Sequence, residues 1–161
     1  METVTISLSF STRMLGLAVF KSNLLMDYSL KLHKEKFSLS KTELFLSSLQ
    51  TCFESYTVKH LVLSIPEKHH QTSDFQEILN AIENYTQKKY LQFTCYPIKE
   101  LYERFGNPVK RTRLGLINRL VLLYPELEVY YHRELSNKNK YYIKLFEAVA
   151  AGAYHWVQQE K

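Results

Sequence analysis

The sequence predicts a mixed α/β domain on a five-stranded sheet, three strands antiparallel and then two parallel, with helices on both faces. Three observations predict it. The first thirty or so residues hold three strand-like segments joined by short turns, the apolar period then changes to helical spacing from Ser40, and two further short apolar runs each follow a helix. At 161 residues the chain is the size of one domain, 1–161, which can bury most of what it exposes when unfolded.

In the first segment Val4, Ile6, Leu8 and Phe10 alternate with Thr3, Thr5, Ser7 and Ser9, the period of two that a strand requires. A turn near Ser11 to Arg13 leads to Leu15-Gly16-Leu17-Ala18-Val19-Phe20, apolar on both faces as a central strand is. Lys21-Ser22-Asn23 is read as a hairpin turn. A third strand follows, with Met26, Tyr28, Leu30 and Leu32 opposed to Asp27, Ser29 and Lys31. Short turns between three consecutive strands imply an antiparallel meander.

Ser40-Lys41-Thr42-Glu43 has capping-box spacing, and Phe45, Leu49, Cys52, Phe53 and Tyr56 recur at helical intervals. His60 to Ile65 is a short apolar strand closed by Pro66. Ser73-Asp74-Phe75-Gln76 then opens a second helix with the stripe Phe75, Ile78, Leu79, Ile82 and Tyr85, and Leu91 to Tyr96 reads as a fifth strand. Strands reached through helices are expected to lie parallel in the sheet, by right-handed crossovers. Beyond Pro97 the pattern predicts a short helix over Ile98 to Arg104, a break at Gly106-Asn107-Pro108, and a helix from about Lys110 to Leu123. Tyr124 to Leu135 reads as a loop with extended character at Val129 to Tyr131. A closing helix runs from Asn139 to about Gln158, and its Ala148, Ala150, Ala151, Gly152 and Ala153 allow a close approach to the sheet.

No apolar run approaches bilayer length and the N-terminus lacks a secretory pattern, so a cytoplasmic protein without membrane association is expected. Cys52 and Cys95, the only two cysteines, fall in apolar patterns and read as buried reduced thiols. A formal net charge of +5 with pI ≈ 9.1 is compatible with a polyanionic partner. There is no phosphate-cradling glycine loop, no activated serine or cysteine arrangement and no zinc spacing, and His69-His70 has the wrong interval for a helical metal face.

Three stretches add a resemblance. Thr5 to Phe20 resembles the opening strand, turn and second strand of the RuvC-type Holliday-junction resolvases, a ribonuclease H-like group. Tyr96-Pro97-Ile98-Lys99-Glu100-Leu101, with Asn107 and the basic start at Lys110, is similar to their segment leading into the DNA-facing helix. Lys144 to His155 resembles their final helix, where two acids three residues apart precede an alanine-rich run ending in histidine. The resemblance spans nearly the whole chain and implies a ribonuclease H-like mixed sheet, a homodimer, and DNA or structured RNA as partner.

It also implies a site: in that group carboxylates on the first strand, after the fourth strand and on the last helix hold Mg²⁺, which activates water and stabilises the leaving oxygen. Carried across, the first acid falls on Ser9 and the last-helix pair on Lys144 and Glu147. For the second, Ser64 is nearest by strand register and Glu67 is the nearest carboxylate. With Glu67 included, these positions sum to about −1 where the group presents about −4, too little to neutralise two divalent ions. Lys144 is three residues from Glu147, on the same helix face, and its ammonium competes for the cation's place. No cofactor is therefore expected, and Mg²⁺ held by Glu147 and Glu67 only if the chain is catalytic.

Lys110, Arg111 and Arg113 at a helix N-terminus, with Arg119 two turns on, suit a phosphate backbone, and Lys99 and Arg13 join that surface if the resemblance holds. The expected function is nucleic-acid binding with lost or strongly reduced cleavage. An active structure-selective endonuclease and a non-catalytic interaction or scaffold domain are the alternatives.

Overall fold

The computed structural model describes residues 3–33, 39–106, 112–136 and 142–159. Strands β1 (Thr3–Phe10), β2 (Met14–Lys21) and β3 (Leu24–Leu32) form the expected meander. Helix α1 (Leu39–Ser55) leads to β4 (Thr57–Ile65), and α2 (Ser73–Lys88) leads to β5 (Gln92–Pro97). The sheet order is β3-β2-β1-β4-β5, antiparallel across β3-β2-β1 and parallel across β1-β4-β5. Helices α3 (Ile98–Phe105), α4 (Arg113–Leu123), α5 (Glu128–Ser136) and α6 (Ile143–Gln159) complete the chain. None of the described helices is long and apolar enough to cross a membrane.

Side chains from β1, β2 and β4 sort by parity onto two cores. Ile6, Leu8, Leu17, Val19, Leu61 and Leu63 face α1 and α2, meeting Phe45, Leu49, Phe75, Ile78 and Ile82. Ala18, Phe20 and Val62 face the opposite way, against α3, α4 and α6. Beyond the exposed Thr3, the second face of β1 carries Thr5, Ser7 and Ser9, all buried, so it presents a shallow floor to α6. Small residues on the helix complete the fit: the Ser7 hydroxyl donates to the Ala148 carbonyl at 2.7 Å, and a Cβ at Gly152 would strike the Phe20 ring.

Several boundaries differ from the sequence reading. Helix α1 begins at Leu39, so Ser40 lies within the helix rather than ahead of it. Thr72 caps α2 by accepting from the Phe75 amide at 3.1 Å, and Thr112 caps α4 by accepting from the Gly115 amide at 3.1 Å. Described α6 begins at Ile143; the expected helical residues 139–141 lie outside the described residues, as do Asn107, Lys110 and Arg111.

The loop expected over Tyr124 to Leu135 is instead a short 3₁₀ turn, Pro125–Leu127, continuing into α5. The strand-forming triplet Val129-Tyr130-Tyr131 misled the sequence reading. Leu127, Tyr130, Tyr131 and Glu134 have helical spacing, and all four are buried or half-buried. Tyr130 packs edge-on against Tyr28 at 5.6 Å between centroids, a tertiary contact that overrides strand propensity. Pro125 in the first turn and acids at Glu126 and Glu128 favour a helix start.

Candidate functional site

The C-terminal ends of β1 and β4 meet the first turns of α6. Ser9 pairs with Gly16 across β1 and β2, while Leu8 pairs with Leu63 across β1 and β4, which sets Ser64 one step on beside Ser9. Gly16 is what allows α6 to reach this end of the sheet, because a Cβ there would overlap the Lys144 carbonyl and the Leu145 amide nitrogen. The glycine is needed for close approach rather than for an unusual φ.

Glu147 is the centre of the cluster and is only 4% exposed. Its Oε1 lies 3.0 Å from Lys144 Nζ and accepts from Ser9 Oγ at 3.4 Å. Its Oε2 accepts from the Tyr102 hydroxyl at 3.1 Å. Both carboxylate oxygens are thus engaged, one by an ammonium one helical turn away and one by a phenol from α3. Burial first, and then the Glu147 charge, raise the Tyr102 pKa far above its ordinary value, with Arg113 opposing them. The phenol therefore stays a donor. Ser64 Oγ is buried and has no hydrogen-bond partner among the described residues.

Ser9, Ser64, Lys144 and Glu147 are therefore gathered at one place, but they do not fit a two-metal centre. Two hydroxyls and an ammonium stand where hard cations need anionic oxygen, and the ammonium already neutralises the one acid. Glu67 is elsewhere: it lies past the end of β4, exposed, with Oε2 3.4 Å from His69 Nδ1, and no described contact joins it to Glu147. Among the described residues no group of three or more His, Cys, Asp and Glu could hold a metal ion.

The basic candidates divide by position. Arg13 is exposed in the β1–β2 turn and Lys99 is exposed in the first turn of α3, so both belong to the sheet end that carries Ser9. Arg113, exposed at the start of α4, lies near enough to Tyr102 to act on its pKa. Lys110 and Arg111 fall outside the described residues.

Tyr102 was missed by sequence reasoning. The available signal was its place beside Leu101 on the inward side of a helix anchored by Leu101 and Phe105, but nothing local points it at a residue 45 positions away. A second polar group lies farther along α6. The His155 Nδ1 is 2.8 Å from the Tyr96 hydroxyl, His60 Nε2 is 2.7 Å from Thr94 Oγ1, and the two imidazoles stand 4.4 Å apart between centroids. Cys52 and Cys95 are free, half-buried thiols, and burial pushes each pKa up to about 11.

No protein-family model and no curated protein matches the chain by sequence. Solved structures do. Thermus thermophilus RuvC in complex with a Holliday junction substrate matches with a TM-score of 0.67 at 11% identity, covering 99% of this chain and 96% of that one. Thermus thermophilus RuvC alone matches with a TM-score of 0.67 at 8% identity, covering 98% and 96%. The described residues have a RuvC-like, ribonuclease H-like fold.

Proposed function

We propose that this chain is a nucleic-acid-binding protein of resolvase-like fold that has lost, or nearly lost, metal-dependent cleavage. The observation that carries the reading is the 3.0 Å pair between Lys144 and Glu147 at the meeting point of β1, β4 and α6. An ammonium held there supplies one positive charge without a divalent ion, and the cluster of Ser9, Ser64, Tyr102, Lys144 and Glu147 carries no net negative charge to repel phosphate. Arg13, Lys99 and Arg113 extend positive charge outward, and a net charge of +5 favours encounter with a polyanion. The comparison RuvC was captured with a Holliday junction substrate, which makes branched DNA the first ligand to try. Structured RNA belongs to the same proposal, and the resemblance adds a homodimer.

The test is fluorescence anisotropy with a four-way DNA junction and a structured RNA, in EDTA and in Mg²⁺, across a salt series. Binding is expected with EDTA present and should weaken steeply with salt. Replacing Lys99 or Arg113 by glutamine should lower the slope of log Kd against log salt by about one each. No nicking is expected with Mg²⁺ or Mn²⁺. Absence of binding at low ionic strength would overturn the proposal in favour of an interaction or scaffold role. Divalent-dependent nicking that vanishes in Glu147→Gln would establish the endonuclease instead.

A further inference from the structure

Toward its C-terminal end α6 borders a cavity of about 200 Å³, whose walls include Asn23, Arg104, Phe105, Arg119, Tyr124 and Trp156. Trp156 lies nine residues beyond Glu147, roughly 13 Å along a helix that rises about 1.5 Å per residue, so this cavity is separate from the Ser9 cluster. Its chemistry is also different.

Among the described residues two guanidinium side chains line it, from the last turn of α3 and the middle of α4, and no carboxylate does. Neither Arg104 nor Arg119 takes part in a described ion pair. Both residues are exposed, so solvent screens their mutual repulsion, and the cavity offers an anion two positive donors at once. Planar guanidinium forks match the geometry of phosphate and carboxylate oxygens, and the Asn23 side chain adds an amide donor. Beside these donors stand the rings of Phe105, Tyr124 and Trp156, and the Arg104 guanidinium lies 5.7 Å from the Phe105 ring centroid. The indole Nε1–H of Trp156 is buried with no acceptor among the described residues.

We propose that this cavity binds a small organic oxyanion: a phosphate or carboxylate head held by Arg104 and Arg119, with a flat apolar body against the aromatic wall. The volume admits a molecule of about one ring plus its head group. The pairing of charged donors with apolar surface is that of a ligand site, in which a few polar groups orient a mostly apolar contact.

Trp156 is the only tryptophan in the chain, so its emission reports on the cavity directly. The experiment is a fluorescence titration of the full chain with phenyl phosphate, benzoate and inorganic phosphate at constant ionic strength, with sodium chloride as control. A saturable change is expected with phenyl phosphate or benzoate, with Kd on the order of 0.1–1 mM, and weaker binding with inorganic phosphate, which lacks the apolar body. Which organic anion binds more tightly identifies the head group. R104Q and R119Q should each weaken binding about tenfold while circular dichroism stays unchanged. No saturable response to either organic anion, an equal response to chloride, or binding undiminished in both variants would overturn the proposal. Junction binding should be unaffected by phenyl phosphate, whereas competition between the two would show that the cavity is not a separate site.

Discussion

Gly16 and Lys144 meet backbone to backbone: the space a Cβ on Gly16 would fill is taken by the Lys144 carbonyl. This contact joins β2, beside the C-terminal end of β1, to the first turn of α6 and so sets the position of Glu147 over Ser9.

Gly16→Ala should therefore cost about 3 kcal/mol of stability, because the atoms it strikes are backbone and cannot move aside by a change of rotamer. Urea unfolding followed by circular dichroism measures it. An alanine tolerated at no cost would mean that α6 can lift from the sheet.

Lys144 and Glu147 form a pair whose side chains are 18% and 5% exposed, so removing the lysine leaves a nearly buried carboxylate with only hydroxyl donors. Lys144→Met should destabilise by about 2–3 kcal/mol, less than for a fully buried pair because the ammonium retains some solvent. Adding Glu147→Gln should restore part of the loss, since the amide oxygen can still accept from Tyr102. A double variant as unstable as the sum of the two single changes would show that the residues do not interact.

His60 and His155 predict an acid-sensitive fold. Burial, then the neighbouring His155 and Lys59, hold the His60 pKa down to about 4, and burial lowers that of His155. A histidine whose pKa is depressed in the folded state favours the neutral form there, so the unfolded chain binds more protons below its own pKa of about 6.5. Stability should be constant above about pH 6.5 and fall as the pH drops toward 4. Urea midpoints across that interval give the measurement, and His60→Gln should flatten the decline. An unchanged slope in that variant would remove His60 from the explanation.

How far the sequence could be read depends on the distance over which each feature is encoded. The three-strand meander is legible because alternation along Val4 to Phe10 and the turn at Ser22-Asn23 are local, and a two-residue connection leaves antiparallel pairing as the simple outcome. The crossovers to β4 and β5 follow from helical periods placed between apolar runs. Lys144 facing Glu147 is likewise local, being one turn of one helix. The α5 segment was harder, since propensity and period disagreed there and the Tyr28 contact decided the matter.

By itself, then, the sequence determined the order of the five strands and of the helices other than α5, and the placing of Lys144 and Glu147 on one helix face, because periodicity and short spacings act within a few residues. Only the tertiary structure decided that Tyr102 would reach Glu147, that Ser64 rather than Glu67 would stand beside Ser9, and that Arg104, Arg119 and Trp156 would share one cavity. Each of those depends on where whole elements pack, and packing is settled by the fit of buried surfaces across the fold, which no local window contains.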